Sequence, residues 1–138
     1  MALVIDTGPI YALLDRGDDD HARCRSLIEQ TSERLVLPSP ILPEVDYLVS
    51  DRLGTGPMLS FLRDIESGAY QVEDLADQDY IRARALMDQY ADLDVGFVDS
   101  AVLAIVERLN EPKLVTLDRR HFSVMRPRHT DALKLLPS

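Results

Sequence analysis

The sequence predicts an α/β fold of three layers, α/β/α: a short, mostly parallel central sheet with helices on both faces. Three observations predict it. Apolar runs of three to five residues alternate with stretches of helical periodicity along the whole chain. Two of those runs, LVI before Asp6 and LVTL before Asp118, end directly in an aspartate. One helical stretch, VGFVDSAVLAIVERL, is apolar almost all round and so belongs at the centre of the molecule.

The elements follow in order. Leu3–Ile5 is read as a buried strand and residues 8–15 as the first helix, with Thr7 and Gly8 forming the turn between them. Asp18 to Asp20 offer an N-cap and first-turn acids for a second helix through Gln30. Leu35–Leu37 is a second strand. Ser39 is read as an N-cap with Pro40 at the first helical position, for a helix that stops at Gly54. The next helix starts at Thr55-Gly56-Pro57 and ends at Gly68. Tyr70–Glu73 is a weak strand, and Asp77 caps a helix to about Tyr90. A helix over 98–110 is stopped by Glu111-Pro112, and strands follow at Leu114–Leu117 and Leu133–Leu136.

The 138 residues are expected to form a single domain, 1–138, with no repeat or low-complexity linker. A lone cysteine, Cys24, excludes an internal disulfide and fits a reducing cytoplasm, with the thiol expected to be buried. No apolar run has the length of a membrane span, and no signal peptide is visible. The net charge of −9 argues against a generic nucleic-acid binder. The charge is uneven, however: residues 113–138 carry +4 and the preceding ones −13.

In a parallel sheet, functional groups gather beyond the carboxyl ends of the strands. Asp6 and Asp118 stand there, although a helix cap or a turn would also explain each. Glu44 borders the apolar stripe Ile41, Val45, Leu48 and Val49, where a carboxylate needs a partner; a salt bridge at the helix start is the alternative. Asp99 lies on the side of Val102, Leu103 and Val106, or caps a helix starting at Ser100. Asp46 is read as a solvated acid, and Asp94 as a loop acid that could also approach the same site. Converging carboxylates repel one another, and a divalent cation removes the conflict. With His21, His121 and His129 at no metal-ligand spacing, the donors are oxygen only, which suits Mg²⁺ or Mn²⁺ and argues against zinc. No P-loop or GxGxxG is present, so the chemistry points to phosphodiesters rather than nucleotide binding.

Four motifs in order, IDTG with Asp6, PEVDYLV with Glu44, VGFVDSAVLAIVE with Asp99 and VTLDRRHF with Asp118, resemble those of a PIN domain. The resemblance is to the VapC-type ribonuclease toxins of bacterial toxin–antitoxin pairs and spans the chain. It implies a PIN-like fold and a metal site made by Asp6, Glu44 and Asp99, with Asp118 as the more variable fourth acid. Thr7 matches the small hydroxyl residue after the first acid, and Thr116 the one that orients a ligand or a water. The resemblance also implies Mg²⁺-dependent (or Mn²⁺-dependent) cleavage of structured RNA, such as tRNA or ribosomal RNA, a homodimer, and a VapB-type antitoxin that covers the site. Arg119, Arg120 and Arg126 are candidate contacts to RNA phosphates, with surface charge or dimer salt bridges as the alternative. Six per cent aromatic residues with no Trp give little for base stacking.

Two other readings stay open. An aspartyl-phosphate enzyme or receiver domain would use Asp6 as phosphoacceptor, but the nearby second acid is missing from Asp6-Thr7-Gly8. A binding module would instead use the apolar residues Tyr47, Leu48, Met58, Leu59, Phe61 and Leu62 to engage a protein, if they are not core.

Overall fold

A computed structural model describes all residues, 1–138. Five strands form one sheet: β1 (Ala2–Ile5), β2 (Arg34–Pro38), β3 (Gln71–Glu73), β4 (Lys113–Val115) and β5 (Lys134–Leu136). The strand order is β3-β2-β1-β4-β5, and every pairing is parallel. Seven helices connect them: α1 (Thr7–Leu14), α2 (His21–Gln30), α3 (Ile41–Leu53), α4 (Thr55–Glu66), α5 (Asp77–Gln89), α6 (Phe97–Arg108) and α7 (Arg119–Phe122). A 3-10 turn, Ala91–Leu93, precedes α6.

The order of the strands dictates the layers. The chain steps outward from β1 to β2 to β3, then returns past β1 to β4 and β5. Right-handed crossovers therefore put α1–α4 on one face and α5–α6 on the other. The packing agrees: α1 meets α2 and α3, α3 meets α4, and α5 packs along α6. β1 is buried along its whole length, which explains a strand of apolar residues with no alternation. The core continues through Ile41, Val45 and Val49 of α3 and Val102, Leu103 and Val106 of α6. Ser100 to Val106 are all buried, as the all-round apolar pattern of that helix required.

Several local expectations change. Thr7 and Gly8 are the first residues of α1 rather than a turn, and a Cβ on Gly8 would lie 3.4 Å from Leu117 Cβ. Asp20 takes the N-cap position of α2, as expected, but its side chain makes no capping bond, none of the three acids lies in the first turn, and Asp18 Oδ1 accepts the Asp20 amide at 2.8 Å. Pro40 itself takes the cap position of α3, and Ser39 contributes only its carbonyl to the Leu42 amide. At α5 the capping side chain is Asp79, whose Oδ2 accepts the Ala76 amide at 2.8 Å, and not Asp77. Asp79 is 1% exposed and also accepts from Arg108 Nε, which in turn reaches Glu73 through Nη1. β4 ends at Val115, two residues short of the expected Leu117, although the Thr116 amide still bonds the Leu136 carbonyl of β5 at 2.9 Å. Glu111 does more than end α6: its Oε1 accepts the Ala2 amide (3.0 Å) and ties down the start of β1. Cys24 is fully buried, and burial pushes its thiol up to about 11.

Candidate active site

The return of the chain past β1 makes the β1/β4 pair the switch point of the sheet. The Asp6 amide bonds the Val115 carbonyl at 2.8 Å, so the ends of the two strands stay together. Asp6 stands at the helix-cap position of α1, yet its side chain caps nothing. Its Oδ2 instead accepts the hydroxyl of Thr116 at 2.8 Å. That hydroxyl also accepts the Asp118 amide at 3.0 Å, so one buried threonine orients both acids.

Glu44 reaches the same place from the first turn of α3. Its Oε1 accepts the Thr7 hydroxyl at 2.6 Å; Glu44 is exposed and not half-buried against the apolar stripe, so this bond orients the carboxylate rather than offsetting burial. Asp99 is in the first turn of α6, whose cap position belongs to Gly96, so Asp99 is not the cap. Asp118 does cap: its Oδ1 accepts the His121 amide at 3.1 Å at the start of α7. Cap and site residue are therefore compatible roles for Asp118. Asp94 and Asp46 are exposed.

His121 is the residue that sequence reasoning missed. Its Nδ1 lies 3.0 Å from Asp99 Oδ2 and 3.0 Å from Asp118 Oδ2. A nitrogen thus stands beside the oxygen donors expected from the sequence. Donor atoms of Asp99, Asp118 and His121 all lie within 4.8 Å of one another.

The electrostatics show what the crowding does. Burial pushes the Asp6 carboxyl up to about 6, aided by the charges of Glu44 and Asp118 and opposed by its hydrogen bonds from Thr7 and Thr116. Burial also raises Asp99, to about 7, together with its hydrogen bond to Asp118 and the charges of Asp6 and Asp118. Burial works against ionisation of Asp118, but hydrogen bonds from Asp99 and from the His121 amide and ring outweigh it and hold its pKa below the usual value. The His121 imidazole is raised: burial opposes its charge, but the carboxylates of Asp118 and Asp99 prevail. A set of hard oxygen donors that resists full ionisation is the chemistry a divalent cation satisfies, so the residues fit one.

The three arginines differ. Arg119 points its guanidinium at the carbonyls of Leu135 and Pro137 and is engaged with the C-terminal segment. Arg120 and Arg126 are exposed, and neither side chain forms an ion pair within the chain.

The PIN domain family model matches residues 3–126, a span that includes all four acids. The chain belongs to the PIN domain family. A curated relative of this PIN domain, Ribonuclease VapC26 of Mycobacterium tuberculosis (strain H37Rv), is 32% identical over 125 residues, covering 91% of this chain and 93% of the relative. In structure the PIN fold matches M. tuberculosis VapC20, described as a sarcin-ricin loop cleaving toxin. That match has a TM-score of 0.75 and 19% identity, over 81% of this chain and 86% of that one. It also matches a chain of VapBC2 from Rickettsia felis bound to a promoter DNA fragment (TM-score 0.70, 16% identity, 98% and 97% coverage). A third match is to DNA-bound VapBC from Salmonella typhimurium (TM-score 0.72, 17% identity, 98% and 96% coverage). At these identities the structural matches speak for the fold, and the VapC26 relationship places this PIN domain with the VapC-type proteins.

Proposed function

We propose that this PIN domain is a divalent-cation-dependent endoribonuclease that cleaves structured RNA in the cytoplasm as the toxin of a toxin–antitoxin pair and so inhibits translation. The observation that carries the reading is the convergence of Asp6, Glu44, Asp99 and Asp118 at the switch point, with two of them pushed up to about 6 and about 7. Asp6, Glu44, Asp99 and Asp118 would hold Mg²⁺ or Mn²⁺. When bound, the ion would neutralise charge on the scissile phosphate and lower the pKa of water.

The chain's own residues do the rest. Thr116 ties the Asp6 carboxylate to the backbone of Asp118, and Thr7 fixes Glu44. A carboxylate of this set accepts the proton of the attacking water, and in-line displacement leaves a 5′-phosphate and a 3′-hydroxyl. Arg120 and Arg126, with no ion pair of their own, are the cations available to RNA phosphates near an acidic site. Arg119 serves the C-terminal segment instead.

The partner surfaces are the exposed apolar residues. Phe61 and Met58 are core, but Tyr47, Leu59 and Leu62 remain exposed on α3 and α4, and Tyr47 stands beside Glu44. That is the surface for an antitoxin that covers the site. On α5 and α6, Tyr80 and Phe97 stack at 6.5 Å next to the exposed Ile81, and this face is assigned to the homodimer. VapC26 is named a ribonuclease, and both VapBC structures pair a VapC with its VapB, which supports the ribonuclease and antitoxin assignments here.

The test is RNA cleavage by the purified chain, free of partner, in Mg²⁺, Mn²⁺ or EDTA. Cleavage is expected only with a cation. Cleavage that survives EDTA, or the double substitution Asp6→Asn with Asp99→Asn, would overturn the reading.

A further inference from the structure

We propose that His121 is a nitrogen ligand of the cation, making a mixed site that favours Mn²⁺ over Mg²⁺. The inference rests on the cation-dependent reading above and extends it to a residue outside the acidic set. Three observations carry it. First, Nδ1 lies 3.0 Å from Asp99 Oδ2 and 3.0 Å from Asp118 Oδ2. Adjacent donors around a six-coordinate ion with bonds of about 2.1 Å are themselves about 3.0 Å apart. The imidazole therefore already stands at the separation that a shared ion requires, with no rearrangement of the backbone.

Second, the other ring nitrogen, Nε2, is buried and has no hydrogen-bond partner. The ring is therefore not held by a structural bond elsewhere in the chain. Here the only polar engagement of the ring is the edge that faces the two carboxylates. Third, the placement is fixed on both sides. The His121 amide is held by Asp118 Oδ1 at 3.1 Å, and the following residue, Phe122, is buried in the core. These contacts fix the backbone that carries the ring at the start of α7.

The chemical consequence is selectivity. Mg²⁺ is a hard ion that favours oxygen and dehydrates reluctantly. First-row transition ions accept imidazole more readily, and Mn²⁺ is the one among them that also suits carboxylates. Two carboxylates and one imidazole thus shift the balance from Mg²⁺ toward Mn²⁺.

The experiment uses the full chain loaded with Mn²⁺, with directly bound ¹⁴N read by electron spin-echo modulation and the affinities of Mn²⁺ and Mg²⁺ read by calorimetry. The wild type is expected to show modulation from a coordinated imidazole nitrogen, and His121→Gln to lose it. The same substitution is expected to weaken Mn²⁺ about tenfold or more and Mg²⁺ less than about twofold. The thermal midpoint of the variant reports on its folding, and the nitrogen signal of the wild type needs no variant. Mn²⁺ bound without nitrogen coupling would overturn the role of His121 and leave the carboxylate site standing. Equal weakening of both ions would overturn it too, because His121 would then act only by holding Asp118. Failure of the wild type to bind either ion would overturn this inference together with the reading beneath it.

Discussion

Replacing Asp6 with asparagine is expected to stabilise the cation-free protein at alkaline pH. Asp6 is 5% exposed, and its carboxyl is raised from 3.8 to about 6. Each pKa unit corresponds to about 1.4 kcal/mol, so ionised Asp6 costs the folded chain about 3 kcal/mol once the pH is well above 6. The sign follows from proton counting. Below about pH 4 the carboxyl is neutral in both folded and unfolded chains, and its contribution is fully present. Between about pH 4 and pH 6 the folded chain holds the proton more tightly, so stability falls as pH rises. The amide of Asp6→Asn never ionises and escapes this loss. Its oxygen can still accept the Thr116 hydroxyl, although exchanging a carboxylate for a neutral acceptor returns about 1 kcal/mol. The net gain is about 1–2 kcal/mol, or roughly 4–8 °C in melting temperature for a chain of this size. Thermal unfolding in EDTA at pH 4.5 and pH 8 is the assay. The variant should melt near the wild type at pH 4.5 and above it at pH 8. Saturating Mn²⁺ should reverse the order, because only the wild type keeps the ligand. A variant less stable at pH 8 in EDTA, or an equal difference at both pH values, would refute the electrostatic account of the site.

Other substitutions probe its supports. Thr116→Val removes a fully buried hydroxyl that serves both Asp6 and Asp118, and should cost about 2–3 kcal/mol by urea unfolding while lowering RNA cleavage; Thr116→Ser should restore most of both. Asp79→Ala leaves the Ala76 amide and the Arg108 guanidinium without their shared acceptor, and should cost about 3–5 kcal/mol in urea with no change in Mn²⁺ affinity. Gly8→Ala should lie within about 1 kcal/mol of the wild type, since the helical gain is offset by a Cβ contact of 3.4 Å with Leu117; a loss above about 2 kcal/mol would mean that the first turn of α1 cannot shift.

The fold was legible where burial dictated composition. Leu3 to Ile5 and the stretch around Val102 to Val106 have no polar face to show, and such residues can only be interior. The candidate acids were legible for the opposite reason. A carboxylate at the end of a buried strand, or against an apolar stripe, stands out because it costs free energy there. What sequence could not show was which partner meets that cost. Thr7 bonds Glu44 across 37 residues, and Thr116 bonds Asp6 across 110. His121 was hidden twice: its helix has only four residues, too few for periodicity, and its second partner, Asp99, lies 22 residues away on α6. One local signal was available. Asp118 three residues before His121 is the spacing of a helix cap and the residue it receives, which would have put the ring and the carboxylate on the same short turn. Asp77 was misread at α5 for a related reason, since capping chemistry fits either acid and only the Arg108 contact selects Asp79.

The same geometry explains why the acids are kept so close when the chain pays for it in stability. If the carboxylates were moved apart, each would ionise near its ordinary value and the fold would be firmer without a cation, but no single ion could then relieve them all. Held close together, Asp6 and Asp99 resist ionisation until a cation arrives, so the cation's affinity includes the repulsion it removes. Asp118 is the exception that makes the arrangement workable. Its cap to the His121 amide and its bond to the ring keep it ionised when Asp6 and Asp99 are not, so the site holds a negative charge that attracts the first cation. The approach of RNA then follows the approach of the ion: the acidic cluster repels phosphate until its charge is met, and only afterwards do Arg120 and Arg126 act on a strand that can come near.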